Sequence, residues 1–177
     1  EYKSAVADTT SCSTCPANTN TTATGSTSLG SCLCERGFQG GGGSTLCSMC
    51  AFATYNPIPL NGSCLACAVN ANTTAKGSVS TAACKCNAGY AGVDASVLCT
   101  RCPPGKFAAT AGLTACVLCD ATNVTVSLTW GATVCSTCGS GYLANETRNG
   151  CANINECQDG NNGGCDVLSL CIDTPGS

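Results

Sequence analysis

Apolar residues along this chain do not recur at helical spacing. No stretch keeps a period near 3.6 over three turns, so regular helices are not expected. Where a period shows, it is two. Val124, Val126, Leu128 and Trp130 alternate with Thr125, Ser127 and Thr129, which predicts a strand with one apolar face over Val124–Trp130. Two roles fit such a strand: packing onto a neighbouring module, or edge pairing with another chain. Elsewhere the pattern is broken by Gly, Asn, Ser and Pro, and short two-stranded hairpins inside loops are the expected elements. Gly40–Gly43 reads as a flexible loop insert with no assigned function.

Cysteine supplies the regularity that apolar residues lack. Cysteines stand at 12, 15, 32, 34, 47 and 50, and adding 52 to each gives 64, 67, 84, 86, 99 and 102 without a miss. A further step of 52 gives 116, 119, 138 and 151, with Cys135 one place early and Ile154 where a sixth would stand. Such self-similarity marks tandem modules. We divide the chain into repeats over 1–49, 50–101 and 102–152, followed by a different segment over 153–177. The same period carries Gly37-Phe38, Gly89-Tyr90 and Gly141-Tyr142 after each Cys-x-Cys, and Tyr55 with Phe107. The glycine is expected at a positive-φ turn. Each aromatic is expected to plug a small module beside its disulfides.

Composition adds that these modules must be stapled. There are 20 cysteines in 177 residues but only eight aromatic side chains. So few large apolar groups cannot offset chain entropy through a core alone. At 10 % charged residues and a net charge of −3 the chain does not look disordered either. A disulfide scaffold remains, and with it a secreted or cell-surface location. Seven scattered Lys and Arg make no nucleic-acid surface, and no apolar run approaches a membrane span. Asn-x-Ser/Thr sequons at Asn20, Asn61, Asn72, Asn123 and Asn145 agree with export and predict N-linked glycans. With no signal peptide at Glu1, the chain is expected to be an internal piece of a longer exported protein.

Long and short gaps between cysteines alternate. One pairing closes each long gap: Cys15–Cys32, Cys34–Cys47, Cys50–Cys64, Cys67–Cys84, Cys86–Cys99, Cys102–Cys116, Cys119–Cys135 and Cys138–Cys151. Each closure is worth about 2–4 kcal/mol. The rival is a crossed scheme like that of epidermal-growth-factor modules, with Cys50–Cys67 and Cys64–Cys84 formed and Cys86–Cys99 kept. Spacing leaves both open. The first orphans Cys12 and the second Cys15, as expected if the chain begins inside a module.

The run Cys84-Lys-Cys86-Asn-Ala-Gly89-Tyr90, Cys99-Thr-Arg-Cys102-Pro-Pro-Gly105-Lys-Phe107, Cys116-Val-Leu-Cys119 resembles the ephrin-receptor-like cysteine-rich repeat over about 150 residues. Its Cys-Pro-x-Gly-x-aromatic portion is also similar to tumour-necrosis-factor-receptor modules. The resemblance implies a small disulfide-rich, mostly irregular fold with short β-hairpins, in an elongated tandem array of such modules. It does not imply ephrin binding. The Thr/Ala/Gly-rich loops, as in Cys15-Pro-Ala-Asn-Thr, resemble in texture the long surface proteins of algae and other protists.

Asn153-Ile-Asn155-Glu156-Cys157, Gly164-Cys165 and Cys171-Ile-Asp173-Thr174-Pro-Gly176-Ser177 resemble the first half of a calcium-binding epidermal-growth-factor domain. That resemblance implies a Cys157–Cys171 disulfide with Cys165 left over. It also implies a Ca²⁺ site with side-chain oxygens from Asn153, Glu156 and Asp173 and carbonyls from Ile154, Thr174 and Ser177, a hard-oxygen set suited to this ion. Asn153 stands where the family more often has Asp, which lowers the site charge. Such an ion would stiffen the joint between the third repeat and this segment. The alternative is that these are solvated loop residues.

Catalysis is not expected. The chain has no histidine, hence no Ser-His or Cys-His pair. The carboxylates are scattered, with Asp159 and Asp166 read as loop residues. Export argues against Cys₄ zinc sites, and no βαβ context supports a Cys-x-x-Cys redox centre. The leading expectation is an extracellular structural or adhesive glycoprotein that self-associates or binds other extracellular proteins, including in a surface or flagellar-hair-type fibre. The alternative is the stalk of a receptor ectodomain holding a ligand-binding head. A secreted ligand or toxin-like protein is a third class.

Overall fold

The computed structural model describes residues 1–2, 12–60, 62–93, 98–120, 125–158, 162–164, 166 and 168–176. It is a small disulfide-rich fold built from short antiparallel hairpins. The strands pair as Thr19–Thr21 with Cys32–Cys34, Phe38–Gln39 with Ser48–Met49, Thr54–Tyr55 with Leu65–Ala66, and Ala71–Thr73 with Cys84–Cys86. They continue as Tyr90–Ala91 with Thr100–Arg101, Lys106–Phe107 with Val117–Leu118, Thr125–Val126 with Ser136–Thr137, and Tyr142–Ala144 with Cys151–Asn153. Each hairpin sits within one long inter-cysteine loop and its return strand. Short 3₁₀ turns are the helical elements of the described residues, in line with the missing helical period.

Nine disulfides staple these loops: Cys15–Cys32, Cys34–Cys47, Cys50–Cys64, Cys67–Cys84, Cys86–Cys99, Cys102–Cys116, Cys119–Cys135, Cys138–Cys151 and Cys157–Cys171. The first eight follow the sequential scheme, and Cys157–Cys171 is the pair that the epidermal-growth-factor resemblance implies. Cys12 is a free, exposed thiol, and Cys165 lies outside the described residues. The sulfurs do much of the work of a core. Cys32, Cys34, Cys50, Cys84, Cys86, Cys99, Cys102 and Cys119 are buried, joined by Ala71, Ala91, Ala108 and Val126. The aromatics expected as plugs are only half-buried: Phe38, Tyr55, Tyr90, Phe107 and Tyr142 lie along the hairpins, while the cystines fill the centre. A module of this size has too little interior for a ring and a cystine together.

Residues fall into two compact units, Glu1–Asn87 with Asp94–Cys99, and Ala88–Val93 with Thr100–Ser177. In the first unit, the buried amide of Asn56 joins two loops. Its Nδ2 donates to the carbonyls of Phe38 (2.7 Å) and Gly62 (3.1 Å), and its Oδ1 accepts from the Ile58 N–H (3.1 Å). Asn56→Ala would strand these groups at a buried site, and a loss of about 2–3 kcal/mol is expected. Denaturant unfolding of the variant checks this; an unchanged midpoint would contradict it.

The strand expected over Val124–Trp130 is shorter than the alternation suggested. Val124 lies outside the described residues, and pairing ends at Val126. Val126 is buried as expected, but so is Ser127, while Leu128 and Trp130 are exposed. The reason is a competing set of backbone bonds. The Ser127 N–H donates to the Arg148 carbonyl (3.0 Å), and the Ser127 carbonyl accepts from the Gly105 N–H (2.8 Å). These pull the chain off the hairpin after two residues.

Candidate functional site

One turn recurs throughout. Three residues after the first cysteine of seven long loops the backbone adopts positive φ, at Asn18 (60°), Gly37 (80°), Ala53 (61°), Asn70 (63°), Gly89 (81°), Gly105 (85°) and Gly141 (75°), while the matching position after Cys119 lies outside the described residues. The next residue's N–H closes the turn onto the carbonyl three residues back, as in Phe38 to Glu35, Thr54 to Ala51 and Tyr142 to Gly139 (each 3.2 Å). A turn with positive φ at its third position suits Gly or Asn. The positive-φ carbonyl then accepts an N–H from beyond the return strand: Cys50 to Gly37 (2.8 Å), Cys67 to Ala53 (2.8 Å), Cys102 to Gly89 (3.0 Å) and Cys119 to Gly105 (3.0 Å). Ile154 keeps this bond to Gly141 (2.9 Å) although its cysteine is gone, because the bond is made by backbone.

The glycines at these turns also join loops that are distant in sequence. In the first unit the Gly37 N–H donates to Asn56 (3.0 Å), Asn56 to Ser78 (2.9 Å), and Gly77 back to Cys50 (2.8 Å). In the second unit Gly89 donates to Ala108 (2.9 Å), Ala108 to Ala132 (3.0 Å), and Gly131 back to Cys102 (2.7 Å). A Cβ at Gly37 would strike the Gly77 carbonyl, one at Gly89 the Gly131 carbonyl, and one at Gly105 the Thr147 carbonyl. Backbone thus packs directly on backbone, which only glycine allows.

Residues 37–84, the stretch from the first of these glycines to the cysteine closing the fourth loop, match the family model described as tyrosine-protein kinase ephrin type A/B receptor-like. This stretch is similar to the ephrin-receptor-like cysteine-rich module. Human ephrin type-B receptor 4 is 39 % identical over 59 residues, covering 33 % of this chain and 6 % of that protein. The sushi, von Willebrand factor type A, EGF and pentraxin domain-containing protein 1 is 30 % identical in Rattus norvegicus and 31 % in Mus musculus. Each match runs over 133 residues, covering 73 % of this chain and 4 % of the relative. The chain therefore spans a small fraction of the length of these curated relatives. Dense disulfides and these similarities mark an extracellular-type cysteine-rich structure, and no helix of the described residues is long and apolar enough to cross a membrane.

The sequon asparagines differ in their surroundings. Asn20 and Asn72 occupy matching exposed positions in the middle of strands, paired with Leu33 and Lys85. In each the side-chain Oδ1 accepts the next residue's N–H (2.9 and 2.8 Å), leaving Nδ2 directed away. Asn145 differs: its Nδ2 donates to Asn149 Oδ1 (2.8 Å), and its Oδ1 accepts from Thr147 and from the Asn149 N–H. Asn61 and Asn123 lie outside the described residues.

Of the six residues implied as calcium ligands, the structure brings the Asn153 and Asp173 side chains together. Asn153 Nδ2 donates to both Asp173 oxygens (3.2 and 3.0 Å), and Asn153 Oδ1 accepts the Gly176 N–H (2.8 Å). Glu156 opens a 3₁₀ turn over Glu156–Gln158 and is half-buried, Thr174 is exposed, and Ser177 lies outside the described residues. Among the described residues there is no group of three or more His, Cys, Asp or Glu placed to hold a metal ion. Oxygen chemistry suits calcium, but Asn153 turns its nitrogen, not its oxygen, to the carboxylate. This clamp holds Gly176 against Gly141, where a Cβ on either would collide with Gly176 backbone or the Tyr142 ring. Glycine again lets one turn seat on another. Sequence reasoning found Gly37, Gly89 and Gly141 but missed Asn18, Ala53, Asn70 and Gly105 at the same turn; the spacing of three after a cysteine, filled by Asn or Gly at all of these but Ala53, was the available signal.

Proposed function

We propose that this chain is part of an extracellular structural or adhesive glycoprotein, a non-enzymatic, disulfide-stapled spacer that builds a surface or flagellar-hair-type fibre. What carries the reading is reuse of one hairpin with one turn and one inter-loop backbone bond. An element repeated this way provides length and regular spacing rather than a single pocket. N-glycans at Asn20 and Asn72 would sit on exposed strand positions, leaving other faces for lateral contact with further copies or other extracellular proteins. At the C-terminal joint we propose weak calcium binding, with Asp173 and Glu156 as the charged donors and carbonyls of Ile154, Thr174 and Ser177 beside them. The ion must displace the Asn153 amide from Asp173, so affinity belongs in the weak extracellular range of about 10⁻⁴–10⁻³ M.

The test is sedimentation and electron microscopy of the glycosylated chain at high concentration, with and without millimolar calcium, alongside calorimetry. Concentration-dependent assemblies are expected, with a calcium heat that Asp173→Ala abolishes. A monomer under all conditions sinks the fibre reading, and no heat at millimolar calcium sinks the metal site. The match to human ephrin type-B receptor 4 favours a second reading, the stalk of a receptor ectodomain. A membrane span followed by a cytoplasmic domain in the full-length protein would favour that stalk over the fibre.

A further inference from the structure

A groove lies beside one of the sequons. Its volume is about 480 Å³, and its walls include Asn20, Thr21, Leu33, Glu35, Arg36 and Pro59. That volume falls in the range of about 300–1,000 Å³ typical of small-molecule sites. The lining combines apolar surface from Leu33 and half-buried Pro59 with one carboxylate and one guanidinium. We infer that this groove seats the N-linked glycan carried by Asn20 itself. The inference rests on the glycosylation reading above and says where the sugar goes.

Three observations point to that occupant. Asn20 lines the groove, so a sugar on Nδ2 enters it without any tether to span. The Thr21 N–H holds Asn20 Oδ1, which fixes the amide and leaves Nδ2 without a partner among the described residues. The chemistry of the walls also suits a pyranose. Its apolar C–H face can lie on Leu33 and Pro59, while Glu35 accepts from hydroxyls and Arg36 donates to hydroxyl or acetamide oxygens. Hydrogen bonds to charged groups are the stronger kind. The linkage forms between Nδ2 and the anomeric carbon of an activated glycosyl diphosphate. One Nδ2 proton is lost and the diphosphate leaves.

The repeat supplies an internal control. Asn72 stands one period on, but its cross-strand neighbour is Lys85, and Asn87, Ala88 and Ala111 replace Glu35, Arg36 and Pro59 at the corresponding positions. A glycan there has the same root without the charged and apolar walls.

The experiment uses the full chain secreted from a glycosylating eukaryotic host. Enzymatic deglycosylation is followed under native conditions, with each site read by peptide mass spectrometry. Release at Asn20 should be about tenfold slower than at Asn72, the equivalent of about 1.4 kcal/mol of protein–sugar contact. The two rates should converge after reduction and denaturation, and Arg36→Ala, an exposed change, should speed native release at Asn20 alone. Equal native rates on a glycosylated Asn20 overturn the groove assignment while leaving glycosylation standing. An unmodified Asn20 overturns both.

Discussion

Gly89→Ala is expected to cost the second unit about 2–5 kcal/mol, from a left-handed alanine plus an overpacked contact. Gly89 has φ of 81°, and its missing Cβ would occupy the place of the Gly131 carbonyl oxygen. Neither partner can move cheaply. The Gly131 N–H is bonded to Cys102, and the Cys102 N–H to Gly89, so backing away breaks both. The measure is denaturant unfolding of the variant beside Gly25→Ala. Gly25 also has positive φ (78°), but a Cβ added there meets nothing within 4 Å among the described residues, so it reports the dihedral cost alone. A Gly89 variant no worse than the Gly25 variant would show that the close approach of backbones contributes nothing.

Removing Cys50–Cys64 by the double substitution to alanine should lower stability by about 3 kcal/mol, the entropy expected for a loop near 15 residues. The true cost should be no smaller, because Cys50 is fully buried. The same variant separates the two pairing schemes. Cys67 is bonded to Cys84 here, so losing Cys50 and Cys64 frees no further thiol. In the crossed scheme, Cys67 and Cys84 would both become titratable. A thiol assay on the folded variant that gains two equivalents over the parent would refute the sequential pairing.

The cysteine spacing made much of this readable. Loop lengths offered a sequential and a crossed pairing, and the structure holds the sequential one. Gly37, Gly89 and Gly141 were legible because glycine before an aromatic, repeated in register, has few uses other than a left-handed turn. The calcium-type motif was legible as a pattern, yet the amide of Asn153 meets the carboxylate nitrogen-first, and amide orientation depends on the Gly176 N–H brought in by tertiary packing. The Val124–Trp130 alternation misled for a related reason. Period two describes which side chains could share a face, but the bonds from Ser127 to Gly105 and Arg148 decide where the strand stops.

By itself, then, the sequence determined that this is a cystine-stapled, hairpin-built chain with a 52-residue period. Cysteine number and spacing set the period and the loop lengths, which are local in the chain. Tertiary structure decided that the true structural unit of the repeats is smaller, a single hairpin for each of the eight disulfides from Cys15 to Cys151. Asn18, Ala53 and Asn70 adopt the same left-handed turn as the glycines, under a hydrogen bond made only by backbone. Backbone bonding carries no side-chain signature, so the turn at Ala53 could not be read from its residue type.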